Sequence, residues 1–282
     1  MSGDIVGHTH GGPPQPGPTP LPGVQNVIAV GSGKGGVGKT TIAVNLAVAL
    51  GKLGYKVGLL DADIYGPNVP LMMGVNRQPD VIGQNRIAPI SNHGIKVISV
   101  GFISPGDKPL VWRGPMLHSI IKQFLQQVEW GELDFLIVDL PPGTGDVVIS
   151  LFQTVPLTGA IVVSTPSDVS LQDARKAIEM FRSVKVDVFG VIENMSHFHC
   201  PYCQHEIDIF SKGGVELTAK QFGLPYLGAV ELDPDVRKGG DTGLPAVLGG
   251  ETSPHAKPFF TFARSIAQSA AEHKTETLIE IQ

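Results

Sequence analysis

A glycine-rich segment with two lysines is the first place in this sequence where chemistry is expected. Residues 33–40 read GKGGVGKT and match the pattern G-x-x-x-x-G-K-[ST]. Glycines let successive backbone N–H groups turn toward phosphate oxygens, and the start of the following helix adds positive potential. In such a loop Lys39 reaches the β- and γ-phosphates, and the Thr40 hydroxyl binds Mg²⁺. The predicted nucleotide-binding residues are Gly33, Lys34, Gly35, Gly36, Val37, Gly38, Lys39, Thr40 and Thr41.

A dinucleotide-binding loop is the competing interpretation of the same glycines. Gly31, Gly33 and Gly36 also fit G-x-G-x-x-G, which is a weak signal when it stands alone. That pattern leaves the Gly-Lys-Thr triplet at residues 38–40 unexplained. The phosphate loop of a nucleoside triphosphatase is therefore the better interpretation.

Acidic residues follow two of the apolar segments that we interpret as buried strands. Asp61 and Asp63 come after the apolar run 57–60, and Asp139 comes after the run 135–138. An extended backbone places Asp61 and Asp63 on one side, and Asp139 stands where a Walker B aspartate is expected. We predict that these acids hold magnesium and position water, although single acids at such places often only cap helices.

The two cysteines, Cys200 and Cys203, are separated by two residues in the turn CPYC. Such a turn presents two thiolates to one metal, which is half of a four-cysteine site. A two-fold symmetric dimer would supply the other half. Three alternatives stay open: a zinc site completed by His199 or His205, a redox-active dithiol, and a structural pair without metal.

Short apolar runs alternate with segments of helical periodicity along most of the chain. Predicted strands are residues 27–30, 57–60, 86–90, 96–100, 135–138, 160–163, 188–192 and 227–230. Predicted helices are residues 40–53, 116–128, 170–181, 215–222 and 257–271, the third opened by a capping box at Ser170 and Asp173. The pattern predicts an α/β fold with a doubly wound, mostly parallel sheet and helices on both faces.

Composition divides the chain into three parts and limits its partners. Residues 1–25 are rich in proline and glycine and are expected to be a disordered arm, with a domain over 26–273 and a tail over 274–282. The net charge of −5 argues against binding nucleic acid or an anionic membrane, and no apolar run has the length of a membrane span. Two neighbouring cysteines are too few for a secreted disulfide framework, so we expect a cytoplasmic protein.

Six motifs resemble those of known families. GSGKGGVGKT (31–40) resembles the deviant Walker A motif of the MinD, ParA and nitrogenase iron protein class, the SIMIBI branch of P-loop NTPases. DADIYGPNVP (61–70), WRGPM (112–116), DLPPGTGD (139–146), ENMS (193–196) and CPYC (200–203) are similar to the Mrp family of ApbC-type iron–sulfur cluster carriers. The resemblance implies a homodimeric ATPase that uses ATP and Mg²⁺, binds a [4Fe–4S] cluster, and exchanges it with an assembly scaffold and apo-proteins.

The resemblance also implies roles for individual residues. Lys34 would be the signature lysine, acting across the dimer at the partner's nucleotide, and Asp63 a switch I acid. Asp139 would be the magnesium-associated switch II acid, and Asn194 would contact the adenine. With Lys39 added, the expected catalytic residues are Lys34, Lys39, Asp63 and Asp139. Cys200 and Cys203 from both subunits would ligate the cluster.

A positioning ATPase of the ParA and MinD type is the rival hypothesis from another class. MinD-like members end in a basic amphipathic helix that binds membranes. Here the terminal segment 277–282 is short, follows Glu276 and contains Glu280. Anionic lipid would repel both of these acids. The cysteine pair has no use in that scheme, so the sequence favours the carrier.

Overall fold

An eight-stranded sheet forms the centre of the protein in a computed structural model that describes residues 17–83, 86–102, 114–203 and 205–280. The strand order across this sheet is β12-β9-β8-β1-β7-β2-β6-β5, and only the edge strand β5 pairs antiparallel. Its strands are β1 (Val24–Gly31), β2 (Val57–Asp61), β5 (Ile90–Asn92), β6 (Ile95–Ser99), β7 (Leu133–Asp139), β8 (Gly159–Ser164), β9 (Val188–Asn194) and β12 (Tyr226–Val230). Two small hairpins pair β3 (Val81–Ile82) with β4 (Arg86–Ile87), and β10 (Phe198–His199) with β11 (Glu206–Ile207).

Helices cover both faces of this sheet, as the alternating sequence predicted. The helices are α1 (Lys39–Lys52), α2 (Val69–Met72), α3 (Gly114–Gln126), α4 (Asp146–Thr154), α5 (Asp168–Ser183), α6 (Gly214–Gln221), α7 (Pro234–Thr242) and α8 (Lys257–Glu280). Side chains of β1 alternate between two apolar cores, with Val27 and Ala29 in one and Ile28 and Val30 in the other. The first core contains residues of α3 to α6, and the second contains residues of α1 and α8. The doubly wound α/β fold is confirmed.

Parallel pairing brings the carboxyl ends of the central strands together. In the register of the sheet, Asp139 at the end of β7 lies beside Val30 of β1 and beside Asp61 of β2. The segment after β1 and the acids after β2 and β7 therefore meet at one edge of the sheet. In doubly wound sheets, this edge is where ligands bind.

The element boundaries differ from the sequence prediction in several places. The capping box at Ser170 is wrong: α5 begins two residues earlier, and its N-cap is Ser167, whose hydroxyl accepts the Ser170 N–H. The predicted strand 86–90 is divided between β4 and β5, whereas the short helices α2, α4 and α7, strand β3 and the hairpin of β10 and β11 were missed. Their short segments carry too little periodicity to be recognised without tertiary context.

The two ends of the domain also differ from the predicted divisions. Leu21 is only 6% exposed in the first apolar core and β1 begins at Val24, so the packed chain starts before residue 26. Helix α8 continues to Glu280, through most of the segment expected to be a tail. Residues 1–16 of the predicted arm lie outside the described residues, as do residues 281–282 and residues 112–113 of the WRGPM motif. Among the described residues, no helix has the length and apolarity that a membrane crossing requires.

Candidate functional site

The phosphate-loop segment lies in a cleft of about 660 Å³ at the carboxyl edge of the sheet. The loop leaves β1 and turns into α1, with Gly36 and Gly38 both at a φ of 80°. Gly38 admits no side chain, because a Cβ there would lie 2.0 Å from the Nδ2 atom of Asn194. A left-handed backbone and a crowded neighbour thus both require glycine at this position.

Most of the predicted nucleotide-binding and catalytic residues line this cleft. Those that do are Lys34, Gly35, Gly36, Gly38, Lys39, Thr40, Thr41, Asp63 and Asn194. Gly33 and Val37 do not, and the Val37 side chain is buried in the second apolar core, so these two residues offer only backbone atoms. The acid Asp139 is fully buried beneath the cleft, where its carboxylate contacts Lys39 and Thr40.

Lys39 is held between two carboxylates. Its Nζ atom lies 2.6 Å from Oδ1 of Asp139 and 3.7 Å from Oδ2 of Asp63, and the residue is only 5% exposed. An ammonium in this position faces the space above the loop from a site of low dielectric constant. A phosphate entering the cleft would compete with both acids for this cation.

Thr40 and Asp139 form an oxygen pair at the same place. The Thr40 hydroxyl donates to Oδ2 of Asp139 over 2.7 Å. A hydroxyl and a carboxylate that already converge are the hard oxygen donors that Mg²⁺ prefers when it retains waters and phosphate oxygens as its other ligands. The residues present therefore fit a magnesium ion.

The two acids after β2 occupy different environments. Asp61 is fully buried and accepts hydrogen bonds from the Ser99 hydroxyl (2.8 Å) and from the backbone N–H groups of Asp63 (3.1 Å) and Val69 (3.3 Å). Burial, followed by the charge of Asp139, raises its pKa to about 8. The expectation that Asp61 joins the metal site is thus not met. The hydrogen bonds of Asp61 instead stabilise the segment that carries Asp63.

Asp63 is the acid that reaches the cleft. Its Oδ1 atom accepts hydrogen bonds from the N–H groups of Tyr65 (3.2 Å) and Gly66 (3.3 Å), while Oδ2 faces Lys39. Burial raises the pKa of Asp63, and the positive charge of Lys39 opposes that shift. A carboxylate at the mouth of the site is placed to act on water or on the phosphate chain.

Asn194 contacts the phosphate loop itself. Its amide Nδ2 donates to the Val37 carbonyl oxygen over 2.8 Å at the end of β9. The same cleft wall includes Asp233 and Pro234, the first of which caps α7 by accepting the Asp235 N–H over 2.7 Å. This wall, from Glu231 to Asp241, contributes cleft residues that sequence reasoning largely missed, since α7 lacks an apolar stripe of its own.

The cysteines lie on the turn between β10 and β11. The Cys200 N–H donates to the His205 carbonyl oxygen over 3.0 Å, which closes the turn, and both thiols are free. Backbone N–H groups of Cys203 and then Tyr202, followed by the Cys203 thiol, lower the pKa of Cys200. Such a turn stabilises a thiolate, which is the form that binds metals.

The cysteine hairpin adjoins the nucleotide cleft. Phe198, the first residue of β10, lines the cleft two residues before Cys200. His199, one of the alternative zinc ligands that the sequence offers, places Nδ1 3.0 Å from Oε2 of Glu231. The thiols and the phosphate loop therefore belong to one connected region of the molecule.

A Gly-Lys-Thr loop between the first strand and helix of a parallel sheet, with an aspartate beneath its lysine, defines a P-loop NTPase. The chain belongs to the family described as ParA, NUBPL iron-transfer P-loop NTPase, whose family model matches residues 23–267. This assignment agrees with the resemblance carried by the sequence motifs.

Relatives and solved structures are consistent with that family. The chain is 52% identical over 250 residues to the "Iron-sulfur cluster carrier protein" of Aquifex aeolicus (strain VF5), covering 88% of this chain and 69% of the relative. It is 47% identical over 251 residues to the "Iron-sulfur cluster transfer protein NUBPL" of Mus musculus, covering 88% and 79%. A nucleotide-binding protein from Archaeoglobus fulgidus in complex with ADP superposes with a TM-score of 0.72 at 36% identity, covering 84% of this chain and 92% of that one. The cell division ATPase MinD of Pyrococcus furiosus gives 0.64 at 26% identity, covering 86% and 99%.

Proposed function

We propose that this protein is an ATP-dependent carrier of [4Fe–4S] clusters that acts as a homodimer. The observation that carries the proposal is the exposed cysteine hairpin whose first strand lines the nucleotide cleft. The names of the relatives support a role with iron–sulfur clusters, and the cleft geometry supports nucleotide binding.

For ATP binding and hydrolysis, residues of the cleft supply positive charge to the phosphates and orient the reacting groups. Lys39 moves its ammonium from Asp139 toward the β- and γ-phosphates of ATP, and the loop N–H groups bind the same oxygens. Thr40 and Asp139 hold Mg²⁺, which neutralises phosphate charge when bound. Asp63 orients the attacking water, and Lys34 reaches across the dimer to the partner's nucleotide. Asn194 changes partner from the Val37 carbonyl to the adenine. Hydrolysis is proposed to be slow.

In the cluster half, two cysteines per chain require a second subunit. Cys200 and Cys203 provide two of the four thiolates that a [4Fe–4S] cluster needs. An isologous dimer brings the same hairpin from each subunit to the two-fold axis and completes the set. A cluster held there lies at the surface, where it can be exchanged by ligand substitution with another protein.

Partners and location follow from this chemistry. The protein would receive its cluster from an assembly scaffold and pass it to apo-proteins, and it would bind neither nucleic acid nor a membrane. We place it in the cytoplasm, where thiols remain reduced and available to the cluster. Which apo-proteins receive the cluster depends on surfaces of those partners.

Anaerobic reconstitution followed by iron, sulfide and zinc analysis tests this proposal. We expect about four irons and four sulfides per dimer. Cys203→Ser should remove the cluster from both subunits and leave ATP binding intact, because the phosphate loop contains neither thiol. Tyr202→Phe, at the exposed position between the cysteines, is the matched control and should keep the cluster. One zinc per chain, without dimerisation and without uptake of iron or sulfide, would contradict the proposal.

A further inference from the structure

Two histidines and a glutamate converge beside the cysteine hairpin without using its thiols. The Nε2 atom of His197 lies 3.3 Å from Oε1 of Glu231, and Nδ1 of His199 lies 3.0 Å from Oε2 of the same carboxylate. The ligand atoms of the three residues all lie within 4.8 Å of one another. One carboxylate thus faces two imidazole nitrogens at once.

The backbone fixes this arrangement from both sides. The Ser196 N–H donates to the Val230 carbonyl oxygen over 3.0 Å, and the Leu232 N–H donates to the His197 carbonyl oxygen over 2.8 Å. These bonds hold His197 beside Glu231. His199 lies two residues further along an extended segment, so its ring falls on the same side, with the two imidazole centres 4.9 Å apart. These three side chains therefore come together without any rearrangement of the chain.

Ser196 occupies the other ring nitrogen of His197. Its hydroxyl oxygen lies 2.9 Å from Nδ1 of His197 and 3.2 Å from the Val230 carbonyl oxygen. Nδ1 is thereby engaged away from the glutamate, and Nε2 is left to face the Glu231 carboxylate. A proton or a metal ion can join Nε2 to that carboxylate, and the experiment below distinguishes the two.

We propose that His197, His199 and Glu231 bind one divalent first-row transition ion of the Fe²⁺ to Zn²⁺ series. A metal with bonds of about 2.05 Å in tetrahedral geometry separates its ligand atoms by about 3.3 Å, close to the two separations seen here. Two imidazoles and a carboxylate suit these ions and leave a coordination position for water. The Ser196 hydroxyl supplies the outer contact that orients a ligating histidine.

This site is separate from the proposed cluster ligands and goes beyond the carrier function. It adjoins both the thiols and the nucleotide cleft, since Cys200 directly follows His199 and Glu231 lines the cleft. Glu206, whose Oε2 atom is 3.9 Å from Nε2 of His199, adds negative charge at its edge, although Lys212 pairs with that acid. A metal here stabilises the hairpin against the cleft wall.

Cobalt(II) titration of a chain without its two thiols and without the two histidines near its N-terminus tests the site. The background variant keeps the full length and carries Cys200→Ser, Cys203→Ser, His8→Ala and His10→Ala. Because the cluster ligands are absent from this variant, the outcome is independent of the proposed cluster. Binding is followed by calorimetry and by the visible ligand-field bands of Co²⁺, with Zn²⁺ as competitor. We expect one Co²⁺ per chain, displaced by Zn²⁺, without a thiolate charge-transfer band.

Single substitutions in that background decide between a metal and a proton. Glu231→Gln and His199→Ala should each weaken Co²⁺ binding by more than about tenfold. His205→Ala is the matched control from the same loop. His205 is exposed and is not one of the three proposed metal ligands, so its removal should leave the affinity for Co²⁺ unchanged. Absence of stoichiometric Co²⁺ binding would show that a proton alone joins the imidazoles to Glu231. Equal affinities for the three variants would place the metal elsewhere. Either result overturns the proposal.

Discussion

Removing the charge of Lys39 is expected to destabilise the nucleotide-free protein, beyond its effect on ATP. Lys39→Met keeps most of the side-chain volume and removes the ammonium, which leaves the fully buried Asp139 carboxylate without its 2.6 Å partner. Breaking a buried ion pair from one side costs about 3–5 kcal/mol, because the remaining charge is uncompensated. We therefore expect the free energy of unfolding to fall by about 3 kcal/mol or more, together with loss of ATP binding.

Urea denaturation in nucleotide-free and magnesium-free buffer measures this effect. Lys52→Ala removes an exposed lysine from the last turn of the same helix and should cost less than about 1 kcal/mol. The double variant Lys39→Met with Asp139→Asn removes both charges and should recover much of the loss, giving a coupling energy of about 2–3 kcal/mol. If Lys39→Met unfolds within about 0.5 kcal/mol of the wild type, or if the two substitutions are additive, the ion pair does not stabilise the nucleotide-free state.

Three further predictions concern the phosphate loop and the two acids after β2. Asp63→Asn should keep ATP affinity but slow hydrolysis, because the amide oxygen still accepts the backbone hydrogen bonds while the charge is lost; unchanged turnover at saturating ATP would refute this role. The pKa of Asp61 is raised to about 8 in the folded protein, so the folded state holds an extra proton above the unfolded carboxyl's pKa of 3.8. Stability from this group should therefore fall as pH rises from about 4 to 8, by at most about 1.4 kcal/mol per pH unit, and Asp61→Asn should flatten the measured profile; parallel profiles would contradict this reasoning. Gly38→Ala should cost about 1–3 kcal/mol in urea denaturation and weaken ATP binding, since its Cβ would meet Asn194 and its φ is positive. Gly35→Ala, whose Cβ would meet only Pro142, at 3.8 Å or more, is the control for stability, and equal losses of stability in the two variants would refute the argument.

Local sequence was enough to determine the class of the fold and the position of the phosphate loop. Apolar runs such as those in β1, β2 and β7 are buried from both faces, and their composition signals this directly. The Gly-Lys-Thr triplet fixes the loop because its chemistry depends on backbone conformation and neighbouring residues in the chain. Asp139 could be located because a strand end is itself a local feature.

Only the tertiary structure decided which acids and histidines act together. Asp61 and Asp63 are two residues apart and looked equivalent, yet one is fully buried under Ser99 and the other reaches the cleft. His197 and His199 acquire a shared partner in Glu231, more than 30 residues later, because the chain from β9 to β10 lies against the end of β12. Burial and contacts between distant segments depend on strand order, and strand order is fixed by the packing of the whole sheet. Residues adjacent in the chain were therefore enough to locate the phosphate loop, whereas the environment of each charged group could be known only from the tertiary structure.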